Sequence, residues 1–336
     1  MQRIRVILAA HGEAESAGLT ENFQVGRRTL GHAAEVMRLP APLRLAICAA
    51  AAVRKRLAGG SGSPHNANTR QQAAALEQVL QADATASYHV EAAFASALPC
   101  LDDVVGTPGD ADQQLLLSMI PTDSRLSCGL ICHPLLATSA ATRARTTVMA
   151  RLWDAPELIA IHCAHIAEHF PRLDPAKSNC LALILHGTVM RDERGRTPDY
   201  HTGAAEKTAY AEALRAALLA VPERPWQRVA IAYLNHGVGG EWSSPTLPEL
   251  LSELGAAGVD SVVGYACEHL VDGGETVDLP TVLAAGPVPE THRLPCLNAS
   301  PAFIEFLAAR VRAAAAAAPG TTLCCAPCPL LQDRPP

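Results

Sequence analysis

The chain has 336 residues, of which 49% are hydrophobic and only 18% charged, so it can bury a large core and is not a disordered polymer. Aromatics make up 4%, which leaves Ala, Leu and Val to fill that core. The formal charge is −6 and no Lys/Arg run occurs, which argues against a nucleic-acid binder.

The opening MQRIRVILAAHGEAES combines basic residues with a short apolar stretch but has no small-residue cleavage site after it. It reads as a first buried strand rather than a signal peptide. No apolar run approaches the ~20 residues that span a bilayer, so no transmembrane segment is expected, although transient contact with a membrane surface stays open. The expected location is cytoplasmic, with most of the 11 cysteines reduced.

In chain order, residues 5–10 read as a strand that ends in His11-Gly12. A helix is expected at 69–80 and a short strand at 129–132, followed by the hydroxyl-bearing Ser139, Thr142 and Arg143. Residues 151–178 form a bridge, helical at first, which carries His162, His165 and His169 at i, i+3 and i+7. That spacing either binds a metal or lines a half-buried stripe. A second strand-led half then begins. Strands are expected at 181–185, 229–234 and 261–265, and helices at 204–220, 246–256 and 301–318. Strands alternating with helices specify βαβ units and parallel sheets. The two halves echo each other, VILAAHG at 6–12 against LALILHG at 181–187. The expected fold class is α/β, with two similar Rossmann-like lobes, each a parallel sheet flanked by helices, and a ligand cleft between them. The expected boundaries are 1–150 for the first lobe, 151–178 for the bridge, 179–320 for the second lobe with its final helix, and 321–336 for a Cys-containing tail.

Histidine at the tip of a parallel strand is well placed for chemistry, and the Gly after it permits a tight turn and close approach of a ligand. Taken singly, such a His serves equally well to cap a turn. The HGEAES segment also looks like the start of a histidine phosphatase. Those enzymes need Arg just before the His to grip phosphate, and here that residue is Ala10.

A broader resemblance covers residues 5 to about 312. Gly62-Ser63-Pro64 precedes a helix, His186-Gly187 follows a mid-chain strand, and Trp242 is followed by Pro245-Thr246. Asp272 then leads to Glu275-Thr276, and Pro295-Cys296-Leu297-Asn298 comes near the end. In order and spacing this resembles the ferrochelatase family. The resemblance implies two Rossmann-like lobes that clamp a porphyrin, and a lyase-type metal chelatase that inserts Fe²⁺, its substrate, in haem biosynthesis. It carries the family's His onto His186 and the metal-site Glu onto Glu275. His11 stands where one branch of the family has a Tyr near the metal. Arg27 and Arg28 lie where a basic pair would meet the porphyrin carboxylates, and Ser63, Ser139 and Thr142 offer hydroxyls to the same rim. The chain departs from the family at Val271–Gly274, where Ser-Asp-His is usual, and at 93–99, where a guiding Arg/Tyr/Trp cluster is missing. His269 stands ready to replace the missing His.

The chemistry suits these residues. Metallation must strip water from the ion and remove two pyrrole protons. A neutral imidazole accepts a proton near neutral pH, and imidazole with carboxylate binds Fe²⁺ without the grip of thiolates. His186 is therefore expected as proton acceptor and metal ligand, and Glu275 as metal ligand or proton relay. Asp272 and Asp278 stand three residues either side of Glu275, either as an acidic path for cations or as an ordinary solvated turn. In the tail, Cys324, Cys325 and Cys328 lie where some ferrochelatases hold a [2Fe–2S] cluster, with Cys128, Cys132 or Cys163 as fourth ligand. Free tail thiols are the other reading. A non-catalytic tetrapyrrole- or metal-binding protein with the same fold is the alternative function; it would need only an apolar cleft and not the pair His186 and Glu275.

Overall fold

The computed structural model describes residues 1–37, 39–59, 61–82, 86–236 and 240–320. In chain order it forms β1 (Gln2–Ala10), α1 (Leu19–Met37), α2 (Ala41–Ala58), α3 (His65–Leu80), β2 (Ala86–Phe94), α4 (Leu101–Gly106), β3 (Gln113–Ser118), α5 (Cys128–Leu136), α6 (Ala140–Arg145) and β4 (Thr146–Met149). The second half forms α7 (Pro156–His169), β5 (Asn179–His186), β6 (Val189–Arg191), α8 (Ala204–Leu219), β7 (Arg228–Leu234), β8 (Glu241–Trp242), α9 (Leu247–Ala256), β9 (Ser261–Tyr265), α10 (Gly274–Ala284), β10 (Glu290–Arg293) and α11 (Pro301–Ala316).

Two compact units result. The first holds Met1–Arg151 and the segment from Ala299 onward; the second holds Leu152–Asn298. Each is built on a four-stranded parallel sheet, in the order β2-β1-β3-β4 in the first and β10-β9-β5-β7 in the second. These are the two Rossmann-like α/β lobes that the alternation of strands and helices specifies. Sequence dictates which strands sit inside. Val6–Ala9 and Cys180–Leu185 are apolar at every position and fully buried, as a parallel strand covered on both faces must be.

Both sheets share one topological feature that positions a site. β1 has β2 on one side and β3 on the other; β5 has β7 on one side and β9 on the other. The chain therefore leaves in opposite directions from the carboxyl ends of these two central strands, which is where open α/β sheets bind ligands. His11 follows β1 and His186 ends β5.

Two expectations need correction. Residues 129–132 are not a strand but lie inside α5. A short apolar run fits a buried helix as well as a strand, and its buried side chains Ile131 and Cys132 pack in the core beneath the first sheet, with Val148 and Leu116. The final helix, assigned by sequence order to the second lobe, belongs to the first. Its buried stripe of Phe303, Leu307, Val311 and Ala314 completes that unit. Gln113 Nε2 donates to the Ala314 carbonyl at 3.3 Å, and Arg312 donates to the Val79 carbonyl at 3.1 Å. The helical stretch of the bridge, α7, packs on α8 inside the second unit. Among the described residues no helix is long and apolar enough to cross a membrane.

Candidate metal-binding site

The second sheet assembles a cluster at the carboxyl ends of three adjacent strands, β7, β5 and β9. His186 ends β5, His236 comes two residues after β7, and Glu275 lies in the first turn of α10, beyond β9. A carboxylate in that first turn also faces the positive end of the helix dipole. The ligand atoms of His186, His236 and Glu275 all lie within 4.8 Å of one another. The two Nε2 atoms are 2.9 Å apart, and Glu275 Oε1 is 3.9 Å from His186 Nε2 and 3.7 Å from His236 Nε2.

Each member is oriented by a second contact. His186 Nδ1 meets the Gly187 carbonyl at 2.7 Å, an interaction only an N–H can make. The neutral ring therefore carries its proton on Nδ1 and turns the Nε2 lone pair into the cluster. His269 holds the other carboxylate oxygen, Glu275 Oε2, at 3.2 Å. Trp242, paired with Val189 in the small β6–β8 ribbon, lies beside both imidazoles, with ring centroids 6.4 Å from His186 and 5.7 Å from His236. Gly187 is needed for the close turn: a Cβ there would overlap the Asn235 side chain.

Behind the cluster lies a buried ion pair. Lys207, on α8, meets Glu268 at 3.1 Å. Glu268 Oε2 accepts the His186 N–H at 3.0 Å, and Lys207 Nζ donates to the His186 carbonyl at 2.8 Å.

These surroundings set the charges. Burial, followed by the field of Lys207, holds His186 down to about 4, so its imidazole is neutral at physiological pH. Burial alone would raise the Glu275 carboxyl. The His269 hydrogen bond and the fields of the neighbouring histidines outweigh it and bring the group down to about 2. The cluster thus offers two imidazoles, His186 with its lone pair available, beside an ionised carboxylate. Such a set suits a divalent first-row metal, and the Nε2 lone pair can also accept a proton.

The remaining sequence candidates are distributed as follows. Asp272 does not join the cluster. It is ion-paired with Arg293, accepts from Asn298 Nδ2 at 2.8 Å and from the Cys296 N–H at 3.3 Å, and so ties down the loop before α10. The apparent acidic path is therefore a structural anchor at Asp272, because a matched guanidinium and amide already occupy its oxygens. Asp278 is on the exposed side of α10. In the first unit, His11 Nε2 stands 3.4 Å from Thr29 Oγ1. Arg27 and Arg28 lie on α1, and Arg27 lines a cavity with Arg44 and Cys48. The Ser63 hydroxyl accepts the His65 N–H at 3.1 Å, at the start of α3. Ser139 caps α6 by accepting the Thr142 N–H at 3.1 Å, and the two hydroxyls are 3.0 Å apart. These three hydroxyl groups are engaged in local turns, a use that Ser and Thr find readily at helix starts. His162 is fully buried between two tyrosine hydroxyls, Tyr265 at 2.5 Å and Tyr210 at 2.6 Å, and His165 meets the Pro295 carbonyl at 2.9 Å. His162 and His165 are thus hydrogen-bonded core, while His169 is exposed and its Nδ1 meets the His165 carbonyl at 2.9 Å. Cys324, Cys325 and Cys328 lie outside the described residues; Cys128 and Cys132 are buried and Cys163 is half-buried.

Lys207 and Glu268 carry no motif in the sequence. A lone Lys on the buried face of an Ala-rich helix, and an acid beside His269, were the signals available. His236-Gly237 repeats the strand–His–Gly pattern a third time, but only the strand order brings His236 beside His186.

Comparison with known proteins agrees with this architecture. A family model described as Ferrochelatase matches residues 3–315. No curated protein matches. Among solved structures, CbiX, described as the terminal enzyme for biosynthesis of sirohaem in denitrifying bacteria, is similar with a TM-score of 0.51 at 15% identity, covering 92% of this chain and 99% of that one. SirB from Bacillus subtilis with Fe³⁺ gives a TM-score of 0.52 at 13% identity, covering 94% of this chain and 96% of that one.

Proposed function

This chain belongs to the ferrochelatase family, and from that premise we propose that it inserts ferrous iron into a porphyrin, as in haem synthesis. The observation that carries the proposal is the meeting of the His186 and His236 Nε2 atoms, 2.9 Å apart, with the ionised Glu275 carboxylate.

The geometry supports a role for each residue. The imidazoles and the carboxylate receive the ion as it sheds water. Nitrogen and oxygen ligands hold Fe²⁺ firmly enough to place it and loosely enough to release it. Neutral His186 takes one pyrrole proton through Nε2 once that lone pair has passed the ion to the ring nitrogens, the second proton leaves to solvent water, and the orientation of the imidazole is set by the Nδ1–H bond to Gly187. Glu275 supplies the negative charge that attracts the cation, and His269 fixes which oxygen faces inward. His236 is the second nitrogen ligand. A protein that merely binds tetrapyrrole has no need of this set.

The test is anaerobic incubation with Fe²⁺ and, separately, protoporphyrin, coproporphyrin or a more highly carboxylated tetrapyrrole, followed by the Soret shift on metallation. One porphyrin should turn over, and His186→Ala should nearly abolish that turnover while leaving porphyrin binding intact. Wild-type protein that binds porphyrin and leaves every one unmetallated would overturn the assignment in favour of a binder.

A further inference from the structure

The Lys207–Glu268 ion pair is heavily buried, with side-chain exposures of 9% and 4%. Burying two charges is a poor way to stabilise a fold, because stripping water from both ions offsets most of their attraction. An apolar pair of similar volume often serves as well. The location of this pair points to another use. β5 pairs with β9 only as far as Leu183–Tyr265, while on the other side its pairing with β7 continues to His186–Leu234. The Gly187 N–H goes to the Leu234 carbonyl on the β7 side. In a parallel strand successive residues face alternate neighbours, so the N–H and C=O of His186 point to the β9 side, where the strand has already ended. Glu268 takes that N–H at 3.0 Å and Lys207 takes that C=O at 2.8 Å. The charged pair stands in for the missing strand.

It also joins the ligand-bearing segments. Glu268 adjoins His269, whose ring holds Glu275, and Lys207 belongs to α8, the helix between β5 and β7. One buried pair therefore links the backbone of one ligand to the loop that orients another.

We propose that Lys207 and Glu268 are positioning residues, a buried pair that fixes the backbone of His186 against the loop carrying Glu275 and so sets the geometry of the metal cluster. This rests on the proposed metal-insertion site, but part of its test is independent of turnover.

The experiment compares wild-type protein with Lys207→Met, Glu268→Gln and the double variant Lys207→Met/Glu268→Leu. The double variant removes both charges together, so no lone buried ion is left to unfold it. Co²⁺ is titrated without tetrapyrrole and followed by its d–d absorption, and kcat and KM for porphyrin are measured separately. The expected result is a Co²⁺ Kd raised ~10–100-fold with kcat lowered by a similar factor, while KM for porphyrin stays within ~2-fold, as when the partners that orient a ligand are lost. The double variant should keep its circular dichroism and a cooperative melting transition, at a midpoint lowered by the two unpaired backbone groups of His186, yet show the same loss. A folded double variant with wild-type Co²⁺ affinity, d–d spectrum and kcat overturns the proposal. Wild-type protein that binds Co²⁺ but metallates no porphyrin overturns the functional reading alone, and the Co²⁺ titrations still decide the positioning role. Wild-type protein that takes up no Co²⁺ overturns both.

Discussion

The carboxyl ends of β1 and β5 carry the same local pattern, an apolar run and then His-Gly, in two different settings. Each strand is apolar, central in its sheet and followed by His-Gly at a point where the strand order splits. Around His11 the first unit places Thr29 of α1, 3.4 Å away. Around His186 the second unit places His236 from beyond β7, Glu275 from beyond β9, and Lys207 with Glu268 beneath. A strand–His–Gly sequence thus fixes where an imidazole stands. What the imidazole can do depends on what the neighbouring strand ends deliver to it.

Breaking the two histidines in turn should give the largest contrast. His186→Ala removes the proton acceptor and a metal ligand, and turnover should fall by ~10²–10⁴-fold, whereas His11→Ala should stay within about tenfold of wild type. Equal losses in steady-state assays of the two variants would erase the distinction between the sites. Glu275→Gln comes next. It keeps the shape and removes the charge, so kcat should drop ~10–100-fold with porphyrin KM little changed. Asp278→Asn, on the exposed side of the same helix, should leave both constants near wild type.

Asp272→Asn sharpens the difference between a ligand and an anchor. Losing the carboxylate that Arg293 and Asn298 hold should cost about 1–3 kcal/mol of stability, seen as a lower urea midpoint. The affinity for Co²⁺ should change little. If metal affinity falls and stability does not, Asp272 belongs to the site after all.

The last expected effect is on the pH dependence of stability and leaves the site untouched. Burial between Tyr210 and Tyr265 lowers His162 to about 3, below its ordinary value of about 6.5. The unfolded chain therefore binds this proton first. Its contribution to stability is complete above pH ~6.5 and is progressively lost as pH falls toward ~3. Melting temperatures measured from pH 7 to 4 should decline, and His162→Gln, though less stable at pH 7, should decline less steeply.

Residue pattern alone decided the class of fold, because apolar strands and amphipathic helices have distinct periods and their alternation admits few sheet arrangements. It also determined the two imidazoles at strand ends, since each apolar run stops at a His-Gly. Local pattern could not separate strand from helix at 129–132, where nine residues of α5 are mostly apolar and only packing arbitrates. Nor could chain order show that the last helix returns to the first unit, because the stripe from Phe303 to Ala314 records that a partner is needed but not which one. The same limit applies at the site. Asp272 and Glu275 look equivalent as spaced carboxylates, yet one meets a guanidinium from β10 and the other meets three histidines. Those partners lie up to 89 residues away along the chain, His186 to Glu275. Only the strand order β9-β5-β7 brings them within a few ångströms, and at that distance burial and charge give each group its role.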